Sequence, residues 1–86
     1  MTDQQTEIIA YIQQHVIRRP DVSIGETTPL VSSGLIDSLA LVNILQKLED
    51  VTATRIPAGK VRAEDMDTVA QMFATAARVG KPRTKR

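Results

Sequence analysis

The chain has 86 residues, no cysteine and a formal net charge of +1. This length allows one small domain with a modest core, because small domains bury a low fraction of their surface. The lack of cysteine excludes disulfides, cysteine-ligated zinc and a cysteine nucleophile. With one Tyr, one Phe and no Trp, the chain has too few aromatic residues for a base-stacking surface.

Positive charge is concentrated at the C-terminal end. The last six residues, KPRTKR, hold four bases and no acid, and the rest of the chain has a formal charge of −3. That distribution lacks the positive patch typical of nucleic-acid-binding domains. We therefore predict one domain over residues 1–80, a flexible basic tail over residues 81–86, and no nucleic-acid partner.

The sequence shows neither a membrane span nor a secretion signal. No apolar run approaches the roughly 18 residues that a membrane span needs, and the N-terminal MTDQQTE is polar and acidic. Small secreted domains usually depend on disulfides. We therefore expect a cytoplasmic protein that does not bind a membrane.

The first predicted element is an amphipathic helix over about residues 3–18. Apolar side chains recur in it at a four-residue spacing: Ile8, Ile12 and Val16. Thr2 and Gln5 form the pattern of a capping box at its start. Pro20 is expected to end it, because the residue before a proline avoids the helical region.

A long loop is predicted next, over residues 20–37, with the sequence PDVSIGETTPLVSSGLID. Loops of this length are usually functional or disordered. Its aliphatic residues argue against disorder: Val22, Ile24, Leu30, Val31, Leu35 and Ile36. We predict a structured loop whose apolar side chains cover a helical core.

The second predicted helix covers about residues 38–50. Its apolar stripe is formed by Leu41, Leu45 and Leu48, widened by Val42 and Ile44. Either Asp37 or Ser38 is the expected N-cap, which would contribute about 1 kcal/mol. A short helical turn is predicted near residues 57–63, anchored by Ile56 and Val61.

The last predicted helix begins near Asp67, its expected N-cap, and ends at Gly80. Its apolar face contains Val69, Met72, Phe73, Ala76 and Ala77. No segment alternates convincingly, so we predict no strand. The predicted fold is all-α, a four-helix bundle of three main helices plus one short helix, with the long loop between helices one and two.

Catalytic, metal and DNA-binding sites have weak support. An activated serine needs a base within hydrogen-bonding distance, and the one histidine, His15, falls near the end of the first helix. The acids lack the spacing of a calcium loop, and no glycine-rich phosphate loop is present. The segment LALVNILQKLED has only Lys47 as a base, which disfavours a recognition helix. No catalytic residue and no metal ligand is predicted.

Ser38 permits two interpretations from the residues alone. It is a good N-cap, and a serine at a helix start after a long loop also presents its hydroxyl to solvent. A helix N-terminus favours an anion, because free amides and the macrodipole point there. A phosphodiester on Ser38 would therefore be tolerated.

Residues 34–50, GLIDSLALVNILQKLED, resemble the modification motif of acyl carrier proteins, commonly G-x-D-S-L followed by an aliphatic helix. Other segments fall in the family's order: the first amphipathic helix, TPLVSSGLIDSL in the loop, RIP after the second helix, and EDMDTVAQM before the last. The resemblance covers roughly residues 5–79. It implies the fold of that family and a carrier without catalytic activity of its own.

The resemblance also implies a cofactor and partners. Ser38 matches the serine to which a phosphopantetheinyl transferase, using magnesium, attaches 4′-phosphopantetheine from coenzyme A. The thiol of that arm would carry an acyl or aminoacyl group as a thioester, which accounts for a carrier without cysteine. Asp37 matches the acid of the motif, and Leu39 matches an exposed leucine that partner enzymes contact. Further expected partner contacts are Ile36, Asn43, Gln46 and Lys47.

Two departures from the family pattern bear on the cargo. The second helix lacks the strongly acidic surface of many fatty-acid carriers, so electrostatic steering is weak. The usual E-x-F-G after that helix is replaced by EDVTATRIP. We therefore expect a freestanding, monomeric carrier loaded by one adenylate-forming acyl or amino-acid ligase and serving downstream biosynthetic enzymes. The alternatives are a general fatty-acid or polyketide carrier, and a helical interaction domain without a prosthetic group that binds through Leu39 or the basic tail.

Overall fold

The computed structural model describes residues 3–19 and 21–82. It contains three α-helices: α1, Asp3–Tyr11; α2, Ser38–Thr52; and α3, Val69–Val79. A π-helical turn, Ile12–Val16, continues α1, and two 3₁₀ turns, Ala58–Lys60 and Ala63–Met66, separate α2 from α3. The prediction of a small helical fold is confirmed, while two short 3₁₀ turns replace the predicted fourth helix.

The core lies where the three helices and the long loop meet. Its fully buried side chains come from every one of these elements: Ile8, Ile12, Leu30, Ile44, Leu48, Met66, Val69 and Met72. Ile24 and Ile36 of the loop are also buried, as predicted for a loop that covers the core. Three apolar residues predicted to face the core are exposed: Leu35 of the loop, Val42 of α2 and Ala77 of α3. Val42 and Ala77 lie at the edges of their helices' apolar stripes.

The end of the first helix differs from the prediction. The amide of Ile17 donates to the carbonyl of Ile12 at 2.8 Å, a spacing of five residues that widens the last turn into a π-helix. The helical segment therefore ends at Val16, and Arg18 follows with a φ of 61°. The predicted cap residue Thr2 and the predicted terminator Pro20 lie outside the described residues.

Helix α3 starts later than predicted and has a different cap. The hydroxyl of Thr68 accepts a hydrogen bond from the amide of Gln71 at 3.1 Å, so Thr68 is the N-cap. The prediction that Asp67 caps this helix is wrong, because the Asp67 carboxylate is bonded to the long loop instead. Gly80 is the C-cap as predicted, and a Cβ there would overlap the carbonyl oxygen of Ala76.

The prediction that the chain has no strand is also wrong. A two-residue strand β1, Thr54–Arg55, pairs antiparallel with β2, Lys81–Pro82. Two residues are too few to show an alternating pattern in the sequence. The pairing joins the first two residues of the predicted tail to the body, and residues 83–86 lie outside the described part of the chain.

Candidate modification site

Ser38 is the first residue of α2, and Asp37 is the residue that caps the helix. The Asp37 backbone is extended, and its Oδ1 accepts a hydrogen bond from the amide of Ala40 at 2.9 Å. Ser38 is exposed, and its hydroxyl makes no hydrogen bond with any residue that the structure describes. Of the two interpretations of Ser38, the structure therefore supports the free hydroxyl and not the cap.

The chain approaches Ser38 through a compact loop built around Leu30. Leu30 is fully buried, and its carbonyl oxygen accepts a hydrogen bond from the amide of Ile36 at 3.1 Å. The hydroxyl of Ser33 donates to the carbonyl of Pro29 at 2.6 Å. Gly34 has a φ of +82°, a left-handed conformation in which a side chain would be strained. These contacts return the chain to the core just before the helix begins.

The carboxylate of Asp67, two residues before the start of α3, binds this loop. Its Oδ1 accepts hydrogen bonds from three successive amides, those of Leu30, Val31 and Ser32, at 3.1, 2.8 and 2.9 Å. Its Oδ2 accepts from the Ser32 hydroxyl at 2.9 Å. These bonds hold the pKa of Asp67 below its ordinary value, although desolvation acts in the opposite direction. The amide of Ser32 has the largest effect, and the hydroxyl of Ser32 the next largest.

Sequence reasoning missed this role of Asp67. The aspartate lies just before a helix, which is the local pattern of a cap. Its partners are 35 to 37 residues away in the sequence, so no local spacing could identify them.

The surface around Ser38 is apolar and exposed. Leu39 is 83% exposed and Val42 is 59% exposed. Leu35 is also exposed, and so are Asn43 and Gln46. Large exposed side chains that cluster in this way are typical of an interaction surface.

Two of the predicted partner contacts have other neighbours. The side chain of Ile36 is only 5% exposed and packs in the core, so it is not available to a partner in this conformation. The ammonium of Lys47 lies 3.0 Å from the carboxylate of Glu7 and 5.8 Å from the centre of the Tyr11 ring. Lys47 therefore faces helix α1, although its side chain is not fully buried.

A groove of about 190 Å³ opens beside Ser38, between α2 and the two 3₁₀ turns. Its lining is mostly apolar, with Leu41, Val42, Leu45, Ala58, Val61, Ala63 and Met66, and with Ser38 and Arg62 as polar members. Ser38 lies at the end of the groove nearest the start of α2.

No hydrogen bond joins His15 to Ser38 in the part of the chain that the structure describes. His15 is exposed in the π-helical turn, and its ring centre lies 5.2 Å from that of Tyr11. Among the described residues, none forms a hydrogen bond with the Ser38 hydroxyl, so the base that a nucleophilic serine needs is not in place.

The comparisons with known proteins agree with this geometry. A family model described as the phosphopantetheine attachment site matches residues 6–76, which is most of the chain. The chain therefore belongs to this family, that of the acyl carrier proteins, and it is a carrier for 4′-phosphopantetheine. No curated protein and no solved structure matches the chain.

Family membership establishes the general role of the protein. Carrier domains of this family are in general non-catalytic, and they interact with a phosphopantetheinyl transferase and with biosynthetic enzymes. The site fits the group, since an exposed serine hydroxyl lies at a helix N-terminus and beside an apolar groove. Within the described residues, no helix is both long and apolar enough to cross a membrane.

Proposed function

We propose that Ser38 is the attachment point of 4′-phosphopantetheine and that the chain presents an acyl or aminoacyl thioester to biosynthetic enzymes. One observation carries this proposal. The Ser38 hydroxyl is exposed and makes no hydrogen bond within the described residues, while its neighbour Asp37 performs the capping. A hydroxyl needed for the fold would be engaged in the fold, and this one is left accessible to an enzyme.

The proposed attachment is a group transfer from coenzyme A. A bond forms between Ser38 Oγ and the phosphorus next to the pantetheine arm, and the pyrophosphate bond of coenzyme A breaks. Adenosine 3′,5′-bisphosphate leaves, and the hydroxyl proton passes to a base of the transferase. The product phosphodiester is an anion at the N-terminus of the 15-residue helix α2, where the helix dipole stabilises negative charge. Once attached, the group supplies the thiol that this chain lacks.

The groove beside Ser38 supports a cargo with an apolar part. Leu41 and Leu45 line it along α2, and Val61 and Met66 line it along the facing turns. An apolar portion of the arm or its cargo would remove this surface from water on binding there, which is favourable in proportion to the area buried.

The charges on α2 support a dedicated loading enzyme. Lys47 is paired with Glu7, and the carboxylate of Glu49 accepts a hydrogen bond from the amide of Ile56 at 2.7 Å. The exposed residues nearest Ser38 on this helix, Leu39 and Val42, carry no charge. A partner would therefore recognise this surface through short-range apolar contact, and long-range electrostatic steering would be weak. We propose an adenylate-forming ligase for acyl or amino acids as the loading partner.

We propose that the partner enzymes contact α2 on the side that carries Ser38. Leu39 and Val42 supply its apolar centre, and Asn43 and Gln46 supply polar groups farther along the same helix. An exposed apolar centre with a polar border is the usual composition of a protein–protein interface.

Intact-protein mass spectrometry tests the proposal. The chain is incubated with coenzyme A, magnesium and a broad-specificity phosphopantetheinyl transferase, beside the variants Ser38→Ala and Ser33→Ala. Ser33 is a matched control, because it is an exposed serine of the loop that precedes α2 and its hydroxyl is bonded to the carbonyl of Pro29. We expect the mass of one phosphopantetheine to be added to the wild type and to Ser33→Ala, and none to Ser38→Ala. Addition to Ser38→Ala, or no addition to a folded wild type, would overturn the proposal.

A further inference from the structure

We infer that Asp67 is a positioning residue for the modification of Ser38, because its carboxylate holds the loop through which the chain reaches that serine. The inference rests on the proposed attachment at Ser38. The Asp67 carboxylate is bonded to Leu30, Val31 and Ser32 and not to Ser38, so its effect on the serine is indirect. It acts by restricting the backbone that an enzyme meets next to the serine.

A short series of contacts connects the two residues. The Asp67 carboxylate accepts the amides of Leu30, Val31 and Ser32, and its backbone carbonyl accepts the amide of Leu30 at 2.7 Å. The carbonyl of Leu30 accepts the amide of Ile36 at 3.1 Å. Ile36 is followed directly by Asp37 and Ser38. The carboxylate is thereby connected to the start of α2 through the backbone of Leu30 and Ile36.

The carboxylate of Asp67 does not cap α3, so helix capping does not explain its contacts. Thr68 already caps that helix through the amide of Gln71. The carboxylate also contributes no apolar surface to the core, which the side chains of Leu30 and Ile36 fill at this point. What Asp67 adds is an orientation for the exposed backbone at Ser32, where two of its four hydrogen bonds lie.

The same turn also supports the groove beside Ser38. Met66, the residue before Asp67, is 1% exposed and lines that groove. One short segment therefore contacts the loop on one side and the lining of the groove on the other. A substitution at Asp67 should change the conformation of the loop more than the groove, because Met66 is buried in the core.

A kinetic consequence follows for the transferase. Without the carboxylate, the loop would populate several arrangements, and an enzyme that binds one of them would show a weaker apparent affinity by the populated fraction. The chemical step within the bound complex would be unaffected. Loss of Asp67 should therefore raise the KM for this chain and leave kcat nearly unchanged.

The test measures kcat and KM of phosphopantetheine transfer for the wild type, Asp67→Ala, Asp67→Asn and Thr68→Ala. Thr68→Ala is the matched control, because it weakens the same helix start without touching the loop. We expect the KM of Asp67→Ala to rise by about ten-fold, which is the factor that follows if the loop occupies the competent arrangement about one-tenth of the time. Asp67→Asn should show a smaller rise, since its amide oxygen can still accept the loop amides, and Thr68→Ala should match the wild type.

Amide hydrogen exchange of the unmodified chain supplies a second readout. Exchange at Val31 and Ser32 should accelerate in Asp67→Ala and stay unchanged in Thr68→Ala. If Asp67→Ala does not fold, Ser32→Ala removes only the hydroxyl bond to the carboxylate and should give a smaller rise in KM. Wild-type kinetics for Asp67→Ala, or an equal KM rise in Thr68→Ala, would overturn the inference while leaving the proposed function intact. A wild type that accepts no phosphopantetheine would instead overturn the proposed function itself.

Discussion

The carboxylate of Glu49 accepts a hydrogen bond from the backbone amide of Ile56, at 2.7 Å between Oε2 and the amide nitrogen. This contact joins the last turns of α2 to the segment that leaves the helix. Glu49 and Asp50 are the acids near the end of α2, and this hydrogen bond fixes the position of the Glu49 carboxylate. Ile56 itself is 3% exposed, so the contact fixes the point at which the chain re-enters the core.

We expect Glu49→Ala to lower the free energy of unfolding by about 1 kcal/mol, the usual net contribution of one hydrogen bond. Urea denaturation followed by circular dichroism measures this change. Gln46→Ala is the matched control, because Gln46 is exposed on the same helix, and it should unfold like the wild type. Equal stability of Glu49→Ala and the wild type would show that the contact is not formed in solution.

Alanine variants of Asp37 and Ser38 should separate helix capping from modification. Asp37→Ala removes the acceptor of the Ala40 amide and should lower the free energy of unfolding by about 1 kcal/mol. Ser38→Ala should unfold like the wild type, because the serine hydroxyl has no hydrogen bond within the described residues. Thermal unfolding of both variants decides the point, and a large loss of stability in Ser38→Ala would return the serine to a structural role.

Leu39 and Leu48 are a matched pair of leucines on one helix with opposite exposure. Leu48 is fully buried, and Leu48→Ala should lower the free energy of unfolding by about 2–5 kcal/mol. Leu39 is 83% exposed, so Leu39→Ala should change stability by less than about 0.5 kcal/mol. The prediction for function is the reverse, since Leu39→Ala should raise the KM of the transferase while remaining fully folded. Unchanged transfer kinetics for that variant would exclude Leu39 from the contact surface.

Asp67 should make the stability of the protein depend on pH in the acid range. Its pKa is lower in the folded chain than the ordinary value of 3.8 because the loop amides and the Ser32 hydroxyl favour the carboxylate. Such a group contributes stability that is fully present above its unfolded pKa and is lost as the pH falls through the folded value. The stability difference between the wild type and Asp67→Asn should therefore be largest near neutral pH and should shrink below about pH 4. Denaturation of Thr68→Ala provides the control, since its deficit should not vary with pH; a constant deficit for Asp67→Asn would contradict the prediction.

The helices and the modification motif could be predicted from the sequence because both are local. The spacing of Ile8 and Ile12 identified the buried side of α1, and the succession Asp37, Ser38 and Leu39 identified the start of α2 and the serine that we propose is modified. The exposure of Leu39 also followed from its position outside the apolar stripe of α2. Each of these features depends on residues within one or two helical turns of one another, where periodicity and capping preferences operate.

Contacts between distant residues were decided only by the tertiary structure. The sequence offered Asp67 as a helix cap, but three amides of the long loop compete for its carboxylate and are bonded to it, while Thr68 takes over the cap. The pairing of β1 with β2, the burial of Ile36 and the attachment of Lys47 to Glu7 have the same origin. In each case the partner lies elsewhere in the chain and is brought close by packing of the core. The sequence by itself thus determined the helices and the motif that contains Ser38, and the tertiary structure decided how that serine is held and how far it is exposed.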